Sequence, residues 1–122
     1  MAKKILIVDD DPEILRLLAS RLKNSGYDVV SASDGESGLK KAITKKPDLV
    51  LLDIIMPGLN GFEVCKRLKE NDKTKLIPVI MLTALAGEKD LSKGLEEGAV
   101  CFITKPFSAE DLLHKIKTAM QD

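Results

Sequence analysis

Five short apolar runs, each followed by a longer amphipathic segment, constrain this chain more than any other feature. The runs are KILIVD at 4–9, DVVSAS at 28–33, DLVLLD at 48–53, PVIMLT at 78–83 and VCFIT at 100–104. Runs of this length bounded by turn residues read as strands, and the segments between them carry apolar residues at helical spacing. Alternating strands and helices imply a parallel sheet with helices on both faces. The first, third and fourth runs are the most continuously apolar, as strands covered on both faces should be. They are therefore predicted to be central, with the second and fifth at the edges. That favours the order 2-1-3-4-5 over a single winding of 1-2-3-4-5, so the expected fold is α/β, a (βα)5 doubly wound parallel sheet.

Helix boundaries follow from capping chemistry. Asp11 can cap the first helix, with Pro12 at its first position and Glu13 in its first turn. Ile14, Leu15, Leu18 and Leu22 share one face, and Gly26 ends the segment. Asp34-Gly35 makes a turn into a second helix carrying Leu39, Ala42 and Ile43, ended before Pro47. The third helix is predicted from Gly61 to about Glu70 on Phe62, Cys65 and Leu68, and 71–75 is expected to be a polar loop. The fourth, 88–97, has few apolar anchors and is flanked or interrupted by Gly94 and Gly98, so it is expected to be the loosest. Ser108 opens the fifth, with Asp111 resembling a capping box and Leu112, Leu113, Ile116, Ala119 and Met120 as the inner stripe.

A length of 122 residues without linker or repeat points to a single domain over 1–122, with no output domain among these residues. Lys+Arg and Asp+Glu are both 19, which gives no reason to expect direct nucleic-acid or membrane binding. No apolar run approaches a bilayer span, and the start MAKKILIVDDD lacks the apolar stretch and cleavage site of a signal peptide. A cytoplasmic location is expected. Cys65 and Cys101 have neither metal-type nor redox-type spacing and read as small buried residues rather than a disulfide.

The chemistry gathers at strand ends. In the expected order the first and third strands are neighbours, and ligands bind where their C-terminal ends diverge. The first ends in Asp9-Asp10 and the third in Asp53, which opens the loop IIMPGLNG. Three carboxylates in one cleft repel and need a cation or a shared proton, and hard oxygen donors suit Mg²⁺. Capping would be the plain alternative for the acids after the first strand, but Asp11 suffices for that. Thr83-Ala84 and Lys105-Pro106-Phe107 reach the same edge from the fourth and fifth strands. A nucleophile, a metal site, a hydroxyl and an ammonium together are the equipment for moving a phosphoryl group onto a carboxylate.

The set Asp9-Asp10, Asp53 with Met56-Pro57 and Asn60-Gly61, Thr83-Ala84 and Lys105-Pro106-Phe107 closely resembles the CheY-like receiver domains of two-component response regulators. The resemblance covers nearly the whole chain. It implies that Asp53 accepts a phosphoryl group from a phosphohistidine on a histidine kinase or phosphotransfer protein. It implies Mg²⁺ (with Mn²⁺ able to substitute) on Asp10 directly, on Asp9 mainly through water, on Asp53 and on the backbone carbonyl of Ile55. Lys105 would pair with a phosphoryl oxygen, and the Thr83 hydroxyl and Ala84 N–H would hold others. The Lys105-Pro106 bond is expected to be cis. Thr83 and Phe102 would form the switch that alters the face made by the fourth helix, fifth strand and fifth helix, and so control an unidentified effector. That face carries Lys89, Asp90, Lys93, Glu96, Glu97 and Lys115 in mixed sign. Such a protein is a signalling switch rather than a turnover enzyme.

Two departures from the family pattern bear on behaviour. Ile55 and Leu85, two residues after Asp53 and Thr83, are apolar and offer nothing to orient a hydrolytic water, so slow self-dephosphorylation is expected. Val100-Cys101 stands where DNA-binding, OmpR-like members commonly have two acids used in a salt-bridged dimer, so a monomer is expected. His114, the single histidine, is placed on the outer side of the last helix as a solvated residue. Three rival readings fit less well. A flavodoxin-like cofactor binder would not place acidic Asp9-Asp10-Asp11 where a phosphate cradle belongs. An aspartyl-phosphate phosphatase would want a carboxylate where Ile55 stands. A degenerate receiver serving only as an interaction module would not keep every site residue.

Overall fold

In the computed structural model, residues 2–84 and 88–120 are described, 88–91 as backbone only. The elements alternate as β1 (Lys4–Val8), α1 (Pro12–Asn24), β2 (Asp28–Ala32), α2 (Gly35–Lys45), β3 (Leu49–Asp53), α3 (Gly61–Glu70), β4 (Val79–Thr83), α4 (Glu88–Glu96), β5 (Cys101–Thr104) and α5 (Ala109–Met120). The strands form one parallel sheet in the order β2-β1-β3-β4-β5, the order the apolar continuity of the runs predicts. Every residue of β3 and β4 is buried, whereas β2 opens on an exposed Asp28 and β5 ends on an exposed Thr104. Several strands are a residue shorter than their apolar runs, because ladder pairing stops before the run does.

The period-two alternation of strand side chains divides the core into two layers. Leu6, Val8, Val50, Leu52, Val79 and Met81 face one side, where Ala42 of α2 and Val64 and Leu68 of α3 pack on them. Ile5, Ile7, Leu49, Leu51, Ile80 and Leu82 face the other, against Leu18 and Leu22 of α1 and Leu112 and Ile116 of α5. Parallel strands buried on both faces need no polar alternation, which is why the runs are apolar throughout.

Three local features differ from expectation. The reciprocal capping box lies at α3, where Asn60 Oδ1 accepts from Glu63 N at 3.0 Å and Glu63 Oε1 accepts from Asn60 N at 3.2 Å. At α5 only the Ser108 half is seen, its Oγ accepting from Asp111 N at 3.0 Å. The segment 71–75, expected to be a plain polar loop, is anchored by Thr74, which is buried and whose Oγ1 donates to the Leu68 carbonyl at 2.6 Å. That carbonyl is one of those a helix C-terminus leaves without an intrahelical partner. Cys65 is fully buried and its thiol is pushed up to about 11 by desolvation; Cys101 is only half-buried, and both are free.

Replacing Thr74 with Val keeps shape and removes the donor. The Leu68 carbonyl, left with only the long 3.4 Å bond from Asn71 N, should cost about 1 kcal/mol of unfolding free energy, measured by urea denaturation with an unchanged m-value.

Candidate functional site: an acidic cluster with one lysine

The site is built from the C-terminal ends of the three central strands and β5. Asp9 is the residue after β1, and its N–H donates to the Ala32 carbonyl at 3.1 Å, so the ladder with β2 holds its backbone. Its side chain is fully buried. Asp53 is the last residue of β3, pairs in register with Leu82 of β4 and is 6% exposed. Asp10 is exposed. Carboxylate oxygens of Asp9, Asp10 and Asp53 all lie within 4.8 Å of one another, the one such group among the described residues.

Among the described residues a single cation enters this cluster. Lys105 Nζ donates to Asp9 Oδ2 at 3.0 Å and stands 3.5 Å from Asp53 Oδ1. The other Asp9 oxygen, Oδ1, accepts from Asp11 N at 2.9 Å, while Asp11 caps α1 by accepting from Glu13 N at 2.9 Å. The three successive aspartates therefore divide their work: Asp9 holds Lys105, Asp10 faces solvent beside the cluster, and Asp11 caps. Lys105 is placed by β5, with its N–H donating to the Thr83 carbonyl at 2.8 Å, and the Lys105–Pro106 bond is cis.

The charge balance is unequal, and protonation reflects it. Burial is the largest influence raising the Asp53 carboxyl, to about 6 from 3.8; Asp9 and Asp10 raise it further, while Lys105 and the Ile54 backbone N–H oppose them. For Lys105, burial works against the charge, but the hydrogen bond to Asp9 and the negative charges of Asp53 and Asp9 outweigh it and hold its pKa up. Three carboxylates against one ammonium leave a negative excess around hard oxygen donors, which fits a divalent cation such as Mg²⁺.

Of the remaining residues flagged by the sequence, Thr83 and Ala84 stand at the same strand-end edge. Thr83 is buried at the end of β4 and pairs with Thr104 of β5; Ala84 follows it and is exposed. The Ile55 side chain, two residues after Asp53, is 61% exposed. Phe102 is half-buried on β5, in register with Met81 and packed against the layer that faces α2 and α3. Leu85 lies outside the described residues. His114 is exposed and borders a cavity of about 460 Å³ between β5 and α5 whose lining contains no carboxylate, so that cavity is separate from the acidic site.

Sequence reading missed one residue that shapes the site. Gly61 donates its N–H to the Ile54 carbonyl at 2.8 Å, and a Cβ there would overlap the carbonyl oxygen of Asp53. Only glycine lets α3 start this close to the strand end that carries Asp53. The Asn60-Gly61 pair was visible as a turn signal; the packing against Asp53 was not.

A doubly wound sheet with paired acids after β1, an aspartate ending β3 and a lysine after β5 defines a CheY-like receiver. Residues 5–117 match the family model of the response regulator receiver domain, and the chain belongs to that family. It is 49% identical over 121 residues to PhoP of Bacillus subtilis (strain 168), named an alkaline phosphatase synthesis transcriptional regulatory protein; the match covers 99% of this chain and 50% of PhoP. The chain thus spans about half the length of that relative. The chemotaxis protein CheY4 of Vibrio cholerae superposes with a TM-score of 0.94 at 32% identity, over 98% of this chain and 99% of that one. The CheX–CheY–BeF3–Mg²⁺ complex of Borrelia burgdorferi gives 0.91 at 30% identity, over 98% of this chain and 90% of that one. The chain is accordingly a receiver domain of two-component response regulators. Among the described residues no helix is long and apolar enough to cross a membrane.

The raised Asp53 pKa has a consequence for stability. Between pH 4 and 6 the folded protein holds a proton on Asp53 that the unfolded chain has released, so this group's contribution falls as pH rises through that window. In metal-free buffer Asp53→Asn should therefore be more stable than wild type at pH 7, by up to about 3 kcal/mol, with the gain vanishing toward pH 4. Thermal denaturation across that range measures it.

Proposed function

We propose that Asp53 is the phosphoacceptor and that Asp9, Asp10, Asp53 and the Ile55 backbone carbonyl hold Mg²⁺ or Mn²⁺. The observation that carries this reading is the convergence of Asp53, Asp9, Asp10 and Lys105 at one sheet edge, with Asp53 as the acid that ends the fully buried β3. The cation, when bound, supplies positive charge for the phosphoryl oxygens and the carboxylates. The chain's own residues do the rest. A carboxylate oxygen of Asp53 attacks phosphorus, the P–N bond of a phosphohistidine on a histidine kinase or phosphotransfer protein breaks, and the imidazole leaves with the electron pair. Lys105, already 3.5 Å from Asp53, neutralises a phosphoryl oxygen as a compact point charge. The Thr83 hydroxyl and Ala84 N–H take the others.

The switch then runs through Thr83 and Phe102. Thr83 moves toward the phosphoryl group, the space beside it opens, and the population of the Phe102 ring shifts further to its inward position; the α4–β5–α5 face changes and an effector reads it. We take the protein to act as a monomer in the cytoplasm, since the exposed Val100 and half-buried Cys101 supply no acids for a salt-bridged pair. The absence of a nucleic-acid partner is proposed for these 122 residues alone, on their charge balance; PhoP, twice as long, is named a transcriptional regulator.

Incubation with Mg²⁺ and acetyl phosphate should add the mass of one phosphoryl group to wild type and none to Asp53→Asn, read by intact-protein mass spectrometry. A wild type that stays unmodified overturns the proposal. The exposed, apolar Ile55 gives a second expectation, slow loss of the phosphoryl group. Ile55→Asn, which can orient a water, should lose it several-fold faster by the same mass measurement, and an unchanged rate would count against this role for Ile55.

A further inference from the structure

Gly94 is buried inside α4, a helix nine residues long. Glycine in a helix interior is less favourable than alanine, so local propensity argues against it there. What fills its empty face is the ring of Phe102. A Cβ at Gly94 would overlap Cζ of that ring and lie 3.1 Å and 3.2 Å from Cε2 and Cε1.

The neighbours of α4 decide what would yield to such a Cβ. Lys93 Nζ sits 5.1 Å from the centroid of the Phe62 ring. Cys65 Sγ donates to the Glu97 carbonyl at 3.2 Å. The stem of Lys69 lies where a Cβ on Gly98 would be, its Cγ at 2.8 Å. These contacts tie the C-terminal half of α4 and the turn that follows it to α3. The strand is also held, since the Phe102 carbonyl accepts from Lys115 Nζ at 3.0 Å. The half-buried ring, which can turn about its own side-chain torsions, is the part free to move.

We propose that Gly94 is a positioning residue of the switch: its missing side chain is the seat that lets the Phe102 ring lie inward against α4. A methyl group at position 94 drives the ring outward while helix and strand stay in place. This rests on the reading of Phe102 as the switch aromatic. If the inward ring and an occupied phosphoryl site favour each other, anything that disfavours one weakens the other by the same factor.

The test uses the full chain labelled with ring-¹³C phenylalanine, whose three residues give separable NMR signals, with Phe102→Leu assigning that of Phe102. Beryllofluoride with Mg²⁺ is the probe. Gly94→Ala should fold at least as stably as wild type, move the Phe102 signal of the free protein toward a solvent-exposed environment, and weaken beryllofluoride binding about five- to tenfold. In the Phe102→Leu background, where the shorter side chain does not reach position 94, adding Gly94→Ala should weaken binding no further. Equal weakening in both backgrounds, or wild-type affinity with an unmoved Phe102 signal, overturns the proposal while leaving the phosphoacceptor reading intact. A wild type that does not bind beryllofluoride at all overturns both.

Discussion

An excess of negative charge at one sheet edge is the constraint on which the rest of this structure depends. Asp9, Asp10 and Asp53 approach within 4.8 Å of one another, and the single ammonium of Lys105 reaches two of them. Burial raises the Asp53 carboxyl toward neutrality, which is the cost of keeping a carboxylate at the end of a fully apolar strand. A group so placed responds strongly to added positive charge and to a change in its own charge. On the proposed reading, a phosphoryl group on Asp53 would change the charge at this buried edge, and a small event there would be felt by every element that supplies it.

Close approach at glycines gives the edge its shape. Gly61 brings the start of α3 against the Asp53 carbonyl, and Gly94 brings α4 against Phe102. Both lie at contacts where a single methyl group has no room, and such packed contacts shift between discrete arrangements rather than deform smoothly. The acidic cluster and the α4 contact are joined through β5, which bears Phe102 and ends at Thr104, one residue before Lys105. One short strand therefore positions both Lys105 of the cluster and the aromatic proposed for the switch.

Much of this was legible from the chain alone. The strands were readable because a parallel sheet covered on both faces demands unbroken apolar runs, and the strand order because edge strands need less of that continuity. Asp9, Asp10, Asp53, Thr83 and Lys105 could be named because a doubly wound sheet places strand ends on one side. Less visible were contacts between side chains far apart in sequence. Thr74 looked like any polar loop residue until its hydroxyl was found on the Leu68 carbonyl. Cys65 bonding to Glu97, and the box that Asn60 of the preceding loop makes with Glu63 of the third helix, carried no periodic signature.

The sequence by itself determined where strands, helices and acids fall, because those depend on local periodicity and on covalent position within a run. Only the tertiary structure decided which aspartate holds Lys105 and what occupies the empty face of α4. The physical reason is range: hydrogen bonds, ion pairs and ring contacts act over a few ångströms, and the 96-position separation of Asp9 and Lys105 becomes one such distance only when β1 and β5 join the same sheet.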